Sequence, residues 1–206
     1  MPVRVPLRHV DAARTAAGTP GGGDGGAGAS AVRGFVETGG VVSMEAAHYT
    51  RAVAPQGRSW LTIPDHGRTL SAVTALPVVA PAATPGGEGM RLEYEVNLDK
   101  AGPVTVHTTL APTQKFQPGS GLRYAVSIDD EAPQIVNIHA DESQQAWEKS
   151  VSDGAVVFRT RHAVGRPGRH VLKFWTMDPG LVLQKLVVDA GGLRPSYLGP
   201  EESPRL

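Results

Sequence analysis

The acidic residues are the first place to look for chemistry. Asp129, Asp130 and Glu131 are consecutive, and Asp141-Glu142 and Glu201-Glu202 are adjacent pairs. Hydrolysis of a glycosidic bond uses two carboxylates about 5–9.5 Å apart, flanking the bond across a shaped pocket. Acids side by side in a turn do not make that arrangement. Asp129-Asp130-Glu131, followed by Pro133, therefore reads as a solvated hairpin turn with its carboxylates pointing outward, and the other two pairs read as surface acids. The seven histidines include no His-x3-His and no His-Glu-x-x-His spacing. His139 with Asp141 and Glu142 is the one local cluster of metal-ligand types, short of the convergent set that zinc needs. There is no Gly-x-Ser-x-Gly elbow for acyl transfer. The glycine run at 21–26 lacks the Gly-Lys-Ser/Thr ending of a phosphate loop and follows no strand, so it reads as linker.

Flat rings and planar donors suit a different task, the recognition of a sugar. An aromatic face covers the C–H face of a pyranose, and Arg, Asn or Gln pair with its hydroxyls. Trp60, Trp147, Trp175, Tyr49 and Tyr197 are the candidate rings. Trp175 lies in the apolar run Leu-Lys-Phe-Trp-Thr-Met and is expected in the core, and Trp60 at a strand start has the same default. Trp147, in the polar segment Asp-Glu-Ser-Gln-Gln-Ala-Trp-Glu-Lys, is the best exposed ring. Arg68, after Asp65-His66-Gly67, could grip a carboxylate bidentately; its plainer role is a loop arginine bonded to Asp65 or a backbone carbonyl. The carbohydrate-binding candidates are thus Trp60, Arg68 and Trp147.

Short strands must position these residues. Candidates run at 41–47, 59–63, 71–76, 91–98, 104–110, 122–128, 135–139, 156–162, 170–177 and 182–189. In 91–98, Leu92, Tyr94, Val96 and Leu98 share one face, while Arg91, Glu93, Glu95 and Asn97 share the other. Turn signals separate the strands at Pro85-Gly86-Gly87, Ala101-Gly102-Pro103, Pro118-Gly119 and Pro167-Gly168. Parallel strands need long crossovers, usually helical, and the chain has no room for them. The expectation is an all-β fold, an antiparallel β-sandwich, with one short helix at 141–149. Residues 1–33, with Gly and Ser in 19–30, read as a disordered flexible segment ahead of a sandwich domain at 34–206.

Composition narrows the partners. Lys+Arg and Asp+Glu both number 20, so the chain carries no net field to gather nucleic acid or an anionic membrane. With no cysteine there is no disulfide, thiolate metal site or Cys nucleophile. No run of about 20 apolar residues spans a membrane, and the first residues lack the apolar core of a signal peptide. The expectation is a soluble protein of undetermined compartment.

Several phrases, in order, carry a resemblance. Val42-Ser43-Met44-Glu45-Ala46-Ala47-His48-Tyr49-Thr50-Arg51 comes first, then Trp60, then Ile63-Pro64-Asp65-His66-Gly67-Arg68-Thr69. The 121–139 hairpin follows, then Pro167-Gly168-Arg169-His170 and Trp175-Thr176-Met177-Asp178-Pro179-Gly180. The last is Gly191-Gly192-Leu193-Arg194-Pro195-Ser196-Tyr197-Leu198-Gly199-Pro200-Glu201-Glu202-Ser203. Together they resemble the C-terminal domain of glycoside hydrolase family 115, the xylan α-1,2-glucuronidases, over roughly 35–203. The resemblance implies a jelly-roll, galactose-binding-like β-sandwich that is not itself an enzyme, because the family's catalytic residues lie on a (β/α)-barrel absent from this chain. It implies a non-catalytic module supporting such a barrel and contacting subunits, or alternatively an independent binding module for xylan or glucuronoxylan. It also implies a periplasmic or extracellular setting. A wider likeness to carbohydrate-binding module families 6 and 35 implies a structural Ca²⁺ held by Glu45 and Asp189. Here Ala47 replaces the second opening acid, and Ca²⁺ takes about six to eight oxygens, so the expectation is no cofactor.

Overall fold

The computed structural model describes residues 34–116, 118–119 and 121–206. The expectations for residues 1–33 lie outside the described residues. Among the described residues twelve strands form two six-stranded sheets. The first sheet runs β1 (Phe35–Val36), β6 (Arg91–Leu98), β11 (Gly168–Thr176), β8 (Arg123–Ile128), β9 (Gln134–Asn137), with β3 (Arg51–Val53) also on β6. The second runs β10 (Val156–Val164), β7 (Gly102–Leu110), β12 (Val182–Asp189), β5 (Ser71–Leu76), β4 (Ser59–Pro64), with β2 (Val41–Glu45) also on β12. The all-β antiparallel sandwich is therefore what the chain forms. Its one departure is β1, which pairs parallel to β6.

Strand alternation builds the core between the sheets. Leu92, Tyr94, Val96 and Leu98 of β6 meet Leu172 and Phe174 of β11 and Tyr124, Val126 and Ile128 of β8. Facing them are Val104, Val106 and Leu110 of β7, Leu183, Leu186 and Val188 of β12, and Val42 and Met44 of β2. Burying each such side chain is worth about 1.5–3 kcal/mol before the entropy of ordering it. Polar groups in this layer are satisfied where the chain allows it: Tyr94 donates its hydroxyl to the Ala46 carbonyl at 2.7 Å. Burial holds that phenol well above its ordinary pKa.

Both outer faces are partly covered. Over the first sheet lies the loop 77–90, whose Ala83 amide donates to the Met177 carbonyl at 2.7 Å. Under it Trp175 packs with Ala125 and Met177 in a second apolar cluster, on the far side from the main core. Trp175 is buried as expected, but on the outer face. Its indole N–H donates to Ser127 Oγ at 2.9 Å, and the Arg91 guanidinium stacks 4.8 Å from its ring centre. Arg91 and Glu93, on the polar side of β6, are thus buried and paired at 2.6 Å rather than solvated.

Over the second sheet lies the C-terminal tail, residues 190–206. Ser203 exchanges hydrogen bonds with Ser43, and Glu202 accepts from the Glu45 amide at 2.9 Å. The tail starts at Gly191-Gly192, where it crosses the turn before β2 so closely that a Cβ on Gly192 would sit 1.8 Å from the Gly39 carbonyl. It ends beside the start of the described chain, where Gly34 and Leu206 exchange backbone hydrogen bonds.

The single α-helix among the described residues is α1 (Gln144–Asp153), shifted from the expected 141–149. Asp141 and Glu142 precede the cap rather than join the helix. Ser143 caps it by accepting from the Ala146 amide, and Gly154 closes it in the left-handed conformation at φ 63°.

Candidate functional site

The 121–139 hairpin is β8, its turn and β9. Its acids do not all point outward, which corrects the solvated-turn expectation. Asp129, at φ 51°, turns its carboxylate back onto β11: Oδ1 accepts from the Val171 amide at 2.9 Å, and Oδ2 lies 2.6 Å from Nδ1 of buried His170. Glu131 accepts from the Ile128 amide and from Nδ1 of buried His162. Only Asp130 is fully solvated. The first and third acids each hold a buried imidazole, which gives them a structural task in the turn.

Beside β9 the sandwich opens into a groove of about 530 Å³. Its floor is Val156 and Phe158 of β10 with Ile138; one wall is Ala146 and Trp147 of α1, and the other is the loop after β7 with Thr113 and Lys115. The cap at Ser143 fixes the helix so that Trp147 lines the groove with 36% of its surface open. His139 sits inside. Its Nε2 donates to the Thr113 carbonyl at 2.8 Å, and its buried Nδ1 meets no protein partner. Asp141 is on the rim, where hydrogen bonds from Ser143 hold its carboxyl below the usual range. An apolar floor, one indole and a polar rim, in a volume typical of small-ligand sites, can take a neutral polar ring. His139, Asp141 and Glu142 do gather here, but among the described residues no group of three or more ligand types could hold a metal ion.

Trp60 and Arg68 are elsewhere. Trp60, on β4, packs against the main core and donates its indole N–H to the Val53 carbonyl at 3.0 Å. Arg68 spends Nε and Nη2 on the Asp153 carbonyl, at 3.1 and 2.9 Å, and Nη1 on the Tyr197 carbonyl at 2.8 Å. It ties the tail to the end of α1, the plainer of its two expected roles, with backbone carbonyls rather than Asp65 as acceptors. The three candidates therefore do not form one site.

The calcium pair does not converge either. In the β2–β12 register Glu45 faces Lys185, whereas Asp189 faces Val41 four residues along, about 13 Å away at the usual strand rise. Glu45 is paired with buried Lys185 at 3.0 Å and accepts from the Thr69 hydroxyl. Asp189 Oδ1 accepts from the Gly191 and Leu193 amides and shapes the start of the tail. The carboxylates are engaged separately, and the residues present do not fit a shared Ca²⁺ site.

Sequence reasoning missed the Thr113–Lys115 wall and Phe158. It also missed a second groove, of about 390 Å³, between the tail and the outer face of β7, β10 and β12. His107 and Arg159 face it from paired positions across β7 and β10. Burial and then the Arg159 charge lower the His107 pKa, with Asp189 opposing. Outward positions on period-2 strands signalled these residues, but not which strands would lie together.

Comparison with known proteins gives the fold a family. The pattern of the glycosyl hydrolase family 115 C-terminal domain matches residues 34–202, and the chain belongs to that family. No curated protein matches the chain by sequence. Among solved structures it is similar to the family 115 4-O-methyl-α-glucuronidase BtGH115A, described as specific for decorated arabinogalactans, at 18% identity and TM-score 0.55. That similarity covers 74% of this chain and 18% of that one, so the chain spans under a fifth of that protein's length. The C-terminal family 6 carbohydrate-binding module of LamC from Zobellia galactanivorans is similar at 10% identity and TM-score 0.46, over 72% of this chain and 98% of that one. A family 6 module from Cellvibrio mixtus lichenase 5A matches at 15% identity and TM-score 0.46, over 72% and 95%. As a family 115 C-terminal domain, the chain is an accessory, carbohydrate-related β-sandwich module.

Proposed function

We propose that this chain is a non-catalytic module that docks against the catalytic barrel of a family 115 α-glucuronidase-like protein acting on xylan-type polysaccharide, with subunit contacts as a further use of the same surface. One observation carries the reading. The second sheet ends at β4, whose outer edge has no partner strand among the described residues, and the β4–β5 hairpin with its flanks exposes Leu61, Leu70, Val78 and Val79. A free edge with apolar side chains beside it is a surface that natural proteins cover. The test is association of the purified chain with a separately expressed family 115 barrel, followed by sedimentation or interferometry. Binding in the micromolar range that Leu61→Asp and Val79→Asp weaken at least about tenfold supports docking; no association at roughly 100 µM sinks it.

The groove at Trp147 favours a second reading, a carbohydrate-binding module for xylan or glucuronoxylan. Its ring and polar rim suit a pyranose. Calorimetric titration with glucuronoxylan and decorated arabinogalactan oligosaccharides measures this directly. Heat that disappears in Trp147→Ala supports it, and no heat at millimolar ligand removes it. Turnover of aldouronic acids by the purified chain would overturn the non-catalytic reading of both.

A further inference from the structure

The groove beneath the C-terminal tail has a different chemistry from the one at Trp147. Its lining includes Arg68, Arg159, Arg194 and Lys185, with Asp189 as the lone carboxylate among the groove-lining residues. Lys185 is neutralised by Glu45, and Arg68 is occupied by backbone carbonyls. Arg159 and Arg194 are exposed and meet no carboxylate or hydrogen-bond acceptor among the described residues. Asp189 cannot neutralise both, since its Oδ1 is held by the amides of Gly191 and Leu193 and its Oδ2 lies 3.9 Å from His107. In a chain of zero formal net charge, this leaves a local cationic excess inside a concave site.

The walls add a recognisable surface. The Arg68 guanidinium stacks 4.5 Å from the Tyr197 ring centre and so fixes that ring, which remains 65% exposed at the groove. Thr109 and Ser196 bring hydroxyls to the same lining. A fixed ring for an apolar C–H face, hydroxyls for hydrogen bonds and two unpaired guanidiniums for a carboxylate are the complement of an acidic sugar. We propose that this groove binds a carboxylate-bearing saccharide, with Arg159 and Arg194 holding the carboxylate and Tyr197 carrying the ring. The proposal rests on the reading of the chain as a carbohydrate-related module and adds to it a second site of defined charge.

The experiment is an NMR titration of the full chain with D-glucuronate, D-glucose and acetate in parallel. Glucuronate is expected to bind at least about tenfold more tightly than either control, since the site needs both ring and charge. Perturbed signals should fall on β7, β10 and residues 193–200. Arg159→Gln and Arg194→Gln are each expected to cost about tenfold in glucuronate affinity with an unchanged melting temperature, because both side chains are exposed. A carboxylate placed beside Arg159 also offsets that charge at His107, so the imidazole should titrate higher in the complex. Glucose binding as well as glucuronate, acetate binding as well as glucuronate, or glucuronate affinity indifferent to both substitutions each overturns the proposal. Because barrel docking is read at Leu61 and Val79, failure here with docking intact overturns the groove alone.

Discussion

The outer faces of the two sheets are covered in different ways. On the first, the 77–90 loop lies directly on Trp175. Arg91 fills the space between them, bonded to the Gly87 and Gly89 carbonyls at 2.8 and 3.2 Å and to Glu93. On the second, the tail is pinned at its two ends, by Asp189 and Gly192 at one and by Ser203 and Glu202 at the other. Between the pins Lys185 and Arg68 reach across to its carbonyls, and the tail stands off the sheet. An aromatic under a loop seals a face; a tail held by long cationic side chains leaves a groove with charged walls. The same device, a buried ion pair, appears under both covers and has opposite consequences for access.

Substitutions should separate the two. The largest effect is expected from Glu45→Ala, which leaves the Lys185 ammonium buried beneath the tail with only carbonyl partners. Breaking a buried pair from one side costs about 3–5 kcal/mol, measured by urea denaturation, and amide exchange should rise across 196–203. Arg91→Ala should cost less, about 2–3 kcal/mol, because Arg51 stays 3.6 Å from Glu93. Its signature is on the other face: tryptophan fluorescence shifts red as water reaches Trp175, with exchange in the tail unchanged. If Arg91→Ala loosened the tail, the two covers would not be independent. Arg68→Ala removes three hydrogen bonds to exposed or half-buried carbonyls and should cost about 1–2 kcal/mol. It should release Tyr197 and leave Trp175 untouched.

The smallest expected effect is a pH dependence on the tail side only. Burial, and then the Arg159 charge, hold the folded His107 imidazole below its ordinary pKa of 6.5. The unfolded chain therefore binds the proton more readily, and the His107 contribution is present above about pH 6.5 and lost as pH falls through the window beneath it. An NMR titration of His107 checks the sign; a midpoint above 6.5 in the free protein would reverse it.

Much of the fold was legible because period-2 alternation and turn chemistry are local. The strands at 71–76, 91–98 and 182–189 stand at the expected bounds. What escaped were pairings made at a distance. Phe35–Val36 and Arg51–Val53 are too short to show a period and exist only because β6 offers its edges. Trp147 lines a groove, as its polar neighbourhood suggested. Trp60, Arg68 and Glu45 each have a partner that no local spacing reveals: Val53, Asp153 and Lys185. Asp129 and Glu131 looked like solvent-facing acids because the histidines they hold are more than thirty positions away.

The backbone exchange between Gly34 and Leu206 carries a last consequence. Entry and exit of the sandwich are side by side, so a short linker could join them and a new opening be cut at an exposed turn such as Lys100, between β6 and β7. Such a circular permutant should keep the sandwich, because every strand retains its neighbours. A larger protein carrying the sandwich would then join it at whichever turn is cut, and the edge at β4 would be presented from a different gene order without rebuilding the core.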